Sequence, residues 1–177
     1  MRHLLARIRR FRRREDGSAT VEFVIIFPIF MFLFASCFEL GTIMLRQTML
    51  DRGIDMTVRQ VRLGAVDPVN HEILKDMICD RAAILPNCQR ELKLEMRSTD
   101  PRGWVPMPAL ADCIDQADYN LPVRTFEAGA PNQMMILRAC HLFEPYFPTF
   151  GLGEFIPRQS GNSYALISTS SYVVEPN

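Results

Sequence analysis

The sequence predicts an α+β protein: a long N-terminal transmembrane-plus-amphipathic helix, packed as a spine on a small antiparallel β-sheet head. Three observations predict it. Phe23 to Phe38 is sixteen residues without a charge, and the apolar character continues past Glu39 to Leu45. Beyond that run the apolar positions advance by three, four or seven, the spacing of one helical face. The C-terminal part carries short runs rich in β-branched and aromatic residues between proline and glycine clusters, the pattern of strands and turns. At 177 residues, 48% hydrophobic and 23% charged, the chain is too apolar for disorder and fits one modest domain with appendages.

Phe23 to Leu45 is 23 residues, about 34 Å as a helix and enough to cross a hydrocarbon core of ~30 Å. Arg46 ends it. The formal net charge is zero, but residues 1–16 hold seven arginines against Glu15 and Asp16, or +5, which leaves −5 for the remainder. No basic residue lies between Arg14 and Arg46, so the positive-inside bias puts the N-terminus in the cytoplasm and the rest of the chain outside. A basic arm on an acidic body argues against nucleic acid as a partner, because a nucleic-acid surface belongs to the folded part. A buried core helix is the competing reading; against it, the run is apolar on every face and follows a polybasic arm directly. Pro28 removes one helical amide bond, which membrane helices tolerate.

Ile43, Leu50, Ile54, Val58, Val61 and Ala65 define the apolar face of the second half of this helix, and Arg46, Asp51, Arg52, Asp55, Arg59 and Arg62 fill much of the remaining surface. One helix is therefore expected from about Ala19 to Leu63, weakened locally at Gly53 and stopped by Gly64, with Pro68 beyond. In the head, His71 to Leu85 reads as a short helix ended by Pro86. Leu92, Leu94 and Met96 alternate with charged residues as a half-buried strand does. Gln133 to Phe143 and Ser163 to Val174 are further strands, and Asp100 to Pro108 and Gly151 to Gly161 read as loops.

Five cysteines divide under this topology. Cys37 falls in the membrane as a small apolar residue. Cys79, Cys88, Cys113 and Cys140 fall outside, where an even number points to two disulfides. Three pairings exist; Cys79 with Cys88 across the turn at Pro86 and Asn87, and Cys113 with Cys140 pinning a long loop to a strand, are favoured. Zinc is the competing reading, but the spacings lack the short chelating pairs of structural sites.

The chain carries no Gly-x-Ser-x-Gly, Walker-type, His-Glu-x-x-His or dinucleotide-binding motif, so no enzyme activity, cofactor or metal is expected. His71 and His141 are isolated, and His141 beside Cys140 points to the opposite face of its strand. Trp104 is either a contact for a partner subunit or an anchor tucked into its own loop.

Gly17-Ser18-Ala19-Thr20-Val21-Glu22-Phe23 joins the arginine arm to the apolar run. A basic leader, Gly, four residues, then Glu-Phe opening a long apolar helix resembles the type IV prepilin signal in its tight-adherence form. The frame from Arg12 to Pro28, with Glu39-Leu40-Gly41 further on, is similar to the TadE-like minor pilins or pseudopilins of the tight-adherence (Flp, type IVc) pilus system. The resemblance implies residues 1–17 as a basic prepilin leader, 18–65 as the spine helix and 66–177 as a periplasmic α+β domain. It also implies a single-pass protein of the bacterial inner membrane, cut by a prepilin peptidase between Gly17 and Ser18. Further implied partners are other pilin and pseudopilin subunits, the inner-membrane assembly platform and membrane lipid.

Physical reasons stand beside that implication. Gly17 accepts the backbone angles a peptidase needs to grip an extended segment, and the hydroxyls of Ser18 and Thr20 suit a helix N-terminus. Glu22 would cost about 2.5 to 3.5 kcal/mol if carried to the bilayer centre. The resemblance supplies its partner, the new α-amino group of a neighbouring subunit, with Phe23 beside it in the packing helix; a solvated Glu22 at the interface is the alternative. Glu39, at the outer edge, is expected to snorkel or to be capped. Phe34-Ala35-Ser36-Cys37 resembles a lipoprotein box, which leaves an acylated Cys37 or an uncut single-pass protein with a periplasmic interaction domain as the rival organisation.

Overall fold

The computed structural model describes residues 18–103, 105–114 and 125–176. Helix α1 (Ser18–Arg62) is 45 residues long and contains Pro28 without ending there. Helix α2 (His71–Arg81) and the one-turn α3 (Cys88–Glu91) follow, then β1 (Leu92–Thr99), β2 (Met134–Phe143), the one-turn α4 (Leu152–Phe155) and β3 (Tyr164–Val173). The strands form one antiparallel sheet in the order β1-β2-β3. Leu92 pairs with His141 at one end and Thr99 with Met134 at the other. A long apolar helix packed on a small antiparallel sheet is thus the architecture, as the sequence predicts.

The second half of α1 is held by its apolar stripe. Leu50, Ile54, Val58 and Val61 are buried with Leu74 and Ile78 of α2 and with Leu92, Leu94, Met96, Leu137 and Leu166 of the sheet. Each such side chain contributes about 1.5 to 3 kcal/mol on leaving water. Ala65, expected on this stripe, is exposed; the helix has already ended, and Val66 packs on the core instead. The stop is chemical: Gly64 adopts φ 67°, its N–H donates to the Val61 carbonyl, and the Ala65 N–H reaches back to Gln60. That pair of bonds satisfies carbonyls the helix leaves open.

Gly53 does more than weaken the helix. A Cβ there would lie 3.0 Å from the Ile78 carbonyl oxygen and 3.4 Å from the Ala82 Cβ, so the missing side chain is what lets α2 cross α1 closely. Helix α2 starts on Asn70, whose side chain accepts from the Ile73 N–H at 2.8 Å. It ends at Arg81, four residues before the expected Leu85. Ala82 leaves helical geometry and is fully buried, and the chain doubles back so that Cys79 meets Cys88 with Cα atoms 5.6 Å apart. The turn passes through Asn87 at φ 50° into α3, which the sequence reading missed.

Strand β1 corrects a further expectation, since it is not half-buried. Lys93 and Glu95, on the face expected to be solvated, are 4% and 3% exposed. Residues 108–114 lie across this outer face as a strap, tied down by the Cys113–Cys140 disulfide and by Arg138. The Arg138 guanidinium donates to Glu95 Oε2 from Nε at 2.7 Å, to the Pro108 carbonyl at 2.7 Å and to the Leu110 carbonyl at 3.1 Å. Glu95 also accepts from the Asp112 N–H at 3.0 Å, and Lys93 Nζ lies 3.2 Å from Asp112 Oδ1. Buried charges survive because each is paired and hydrogen-bonded.

On the inner face, His141 is fully buried with Nε2 3.1 Å from the Pro86 carbonyl. Burial pushes its ring down from 6.5 to about 4, against the Pro86 carbonyl, and Arg46 lowers it further. Between those values the unfolded chain binds a proton that the folded chain refuses. The stability from a neutral His141 is therefore complete above pH 6.5, falls as the pH drops toward about 4 and is flat below, a loss of about 3 kcal/mol over the window. Urea unfolding of the full chain in micelles should show this step relative to His141→Gln; parallel pH dependences for the two proteins would refute it.

Candidate assembly helix and its junction with the head

Helix α1 has two surfaces with a sharp boundary. Every residue from Ala19 to Phe34 is exposed, whereas Ala35 is 3% exposed and the stripe beyond it is covered by the head. The uncovered part is apolar and aromatic. Phe23 stacks on Phe27 one turn away, with centroids 4.9 Å apart, and Phe30 stacks on Phe34. By length and composition, α1 as a whole is long and apolar enough to cross a membrane. The described residues that follow form a larger extramembrane domain.

Ser18 is the first residue of α1, and Gly17 lies outside the described residues. Glu22 is exposed on the first turns, next to Phe23, which is also exposed. Among the described residues nothing places a cation against Glu22. Among the described residues, neither side chain packs against the head.

The junction is built on two charged residues that lie on the head-facing stripe. Glu39 is fully buried. Its Oε2 accepts from the Tyr146 N–H at 3.0 Å and the Phe147 N–H at 3.1 Å, and its Oε1 lies 3.3 Å from the former. Glu39 is therefore capped by the head rather than snorkelling. Two turns on, Arg46 is 8% exposed, a correction to the expectation that it lies on the solvated surface. Its guanidinium lies 4.8 Å from the Phe143 ring centroid and 5.0 Å from that of Tyr146, and Nη2 donates to the Tyr146 hydroxyl at 3.1 Å. The aromatic faces replace part of the water that a guanidinium loses on burial. Below Glu39, the Phe32 ring meets Phe150 edge to face, and Gly151 packs on Ala35 and Ser36. The loop from Glu144 to Ile156 thus wraps the outer part of the apolar run.

The four head cysteines are brought together in pairs, Cys79 with Cys88 and Cys113 with Cys140, with Cα separations of 5.6 and 5.2 Å. Cys37 is free and exposed on α1. His71 stays apart from His141: its Nε2 accepts from the Leu94 N–H at 3.2 Å and its Nδ1 lies 2.7 Å from Glu72 Oε1. Among the described residues no group of His, Cys, Asp and Glu could hold a metal ion. Trp104 lies outside the described residues.

The outward Glu22 and Phe23 and the uncovered helix set the comparison with known proteins. Residues 17–59 match the family model described as TadE-like protein. The TadE-like stretch begins at Gly17, takes in Glu22, Phe23, Glu39 and Arg46, and stops just before the end of α1. It covers the spine and not the head. No curated protein and no solved structure matches the chain.

Proposed function

We propose that the chain is a minor pilin or pseudopilin of a tight-adherence pilus, cut between Gly17 and Ser18 by a prepilin peptidase and assembled by lateral packing of its apolar helix. The carrying observation is the uncovered stretch Ala19–Phe34, which lies inside the TadE-like match and begins just after Gly17. In the membrane its cover is lipid; in an assembly it is the helices of other subunits. Loss of the arginine leader removes a +5 tether and leaves one α-amine. In an apolar bundle a carboxylate attracts that amine more strongly than in water, which gives Glu22 of a neighbouring subunit a role. The proposal places the protein in the bacterial inner membrane, N-terminus inward and disulfide-bonded head in the periplasm, with the assembly platform and other pilin subunits as partners and no nucleic acid. The packing of Gly151 on Ala35 and Ser36 favours a helix that runs uncut past Cys37.

The test is the N-terminus of the mature chain, read by mass spectrometry from native envelopes. Ser18 is the expected first residue. An intact Met1 or an acylated Cys37 overturns the proposal in favour of an anchored envelope protein. Glu22→Gln should be cut normally yet enter pilus-associated material poorly; normal entry would remove the amine pairing while leaving the cleavage intact.

A further inference from the structure

The loop from Glu144 to Ile156 has a surface that the head's own packing does not account for. Tyr146 is 56% exposed, Phe150 41% and Phe155 72%. These rings continue the apolar surface of α1: Tyr146 lies edge-on to Phe38 at 5.5 Å and Phe150 edge-on to Phe32 at 5.6 Å. We propose that this loop is a foot inserted in the outer leaflet of the lipid bilayer, its aromatic side chains at the boundary between headgroups and hydrocarbon. The inference rests on the reading of α1 as a membrane-spanning helix and goes beyond it.

Length argues for it. The part of α1 exposed on every side, from Ala19 to Phe34, is 16 residues, or about 24 Å at 1.5 Å per residue. A hydrocarbon core is ~30 Å thick, so the bare helix stops short of the outer boundary. Glu22 on its first turns shortens the uncharged length further. Where the bare helix runs out, the next surface is this loop. Either the bilayer thins around the head or the loop shares the outer leaflet, and only the second uses the exposed rings.

The backbone of the loop is prepared for a medium with little water. Irregular chain costs several kcal/mol in lipid for each open amide or carbonyl. Pro145 and Pro148 have no N–H to satisfy. The Tyr146 and Phe147 amides are taken by the Glu39 carboxylate, and the Phe150 and Glu154 amides by the Phe147 and Gly151 carbonyls. The Pro148 carbonyl accepts from Arg158 at 2.6 Å and the Gly153 carbonyl from the Tyr164 hydroxyl. Glu154 and Arg158 are exposed and would reach for the headgroup layer, as charged side chains at membrane edges do. Aromatic rings with a wet rim are the composition of the membrane interface.

The experiment uses the full chain in phospholipid nanodiscs, with Trp104→Phe as background and single tryptophans introduced by Phe150→Trp, Phe155→Trp, Phe30→Trp and Val173→Trp. Val173, exposed at the end of β3 beside Val174 and Glu175, which meets Arg62 at the far end of α1, is the control outside the membrane. Lipids brominated near the glycerol end of the chain should quench positions 150 and 155 strongly, those brominated near the methyl end should quench position 30, and neither should quench position 173. Quenching at 150 and 155 no greater than at 173 overturns the foot. If position 30 also escapes, the spanning helix fails and takes the foot with it; if it is quenched, only the foot is lost. Emission at 155 that shifts with protein density but ignores brominated lipid identifies a second copy as the occupant, and also overturns the proposal.

Discussion

Replacing Arg138 with alanine should lower the stability of the full chain in micelles by about 3 to 5 kcal/mol, the usual cost of stranding one partner of a buried pair. The guanidinium is the hub of the strap. Without it Glu95 is a 3% exposed carboxylate that, among the described residues, keeps the Asp112 amide, and the Pro108 and Leu110 carbonyls lose this donor. Urea unfolding followed by the β-sheet signal measures the loss. The double variant Glu95→Leu with Arg138→Met should recover most of it, because two apolar groups replace two charges and neither is left alone. A single variant within about 1 kcal/mol of wild type, the range of an exposed surface pair, would show that the strap does not depend on this ion pair.

The second large effect is expected at Glu39. In Glu39→Leu the Tyr146 and Phe147 amides lose their acceptor in a place without water, at about 1 to 3 kcal/mol for each stranded group. The loop should then open locally while the sheet persists. Hydrogen exchange of the full chain would show it as faster exchange at Tyr146 and Phe147 by one or more orders of magnitude, with β2 unchanged. Glu39→Gln keeps one carbonyl acceptor and should fall between. Unaltered protection of both amides in the leucine variant would remove Glu39 from the junction.

The parts of the fold that were legible are those in which periodicity and burial agree. Leu50, Ile54, Val58 and Val61 repeat at helical spacing and are buried, so α1 could be drawn almost to its ends. Gln133 to Phe143 differs from β2 by one residue at its start, and Ser163 to Val174 from β3 by one residue at each end. What was hidden is polar and distant. Lys93 and Glu95 look like the wet side of a strand until Arg138, 43 positions later, and residues 108–114 are known to lie over them. Arg46 reads as surface because it is charged, yet Glu39, Ile43, Arg46 and Leu50 advance by four, three and four, so the stripe that buries leucine also buries the two charges. That spacing was the available signal. Of the residues proposed for assembly, Glu22 and Phe23 stand in the sequence as a motif at a junction, while the Glu39 contact depends on a loop more than a hundred residues away.

The strap over β1 and β2 makes completion of the head depend on electrons leaving the protein. Residues 108–112 reach Glu95 and Arg138 directly before Cys113, whose disulfide to Cys140 ties the strap to β2. With those thiols reduced, the strap can lift and let water back to three ionised side chains. A chain still on the reducing side of a membrane would then carry an unfinished domain, and closure would wait for an acceptor met only after translocation. Folding of this head is in that sense gated by place: the final lock closes only in a compartment that can take the thiol hydrogens away.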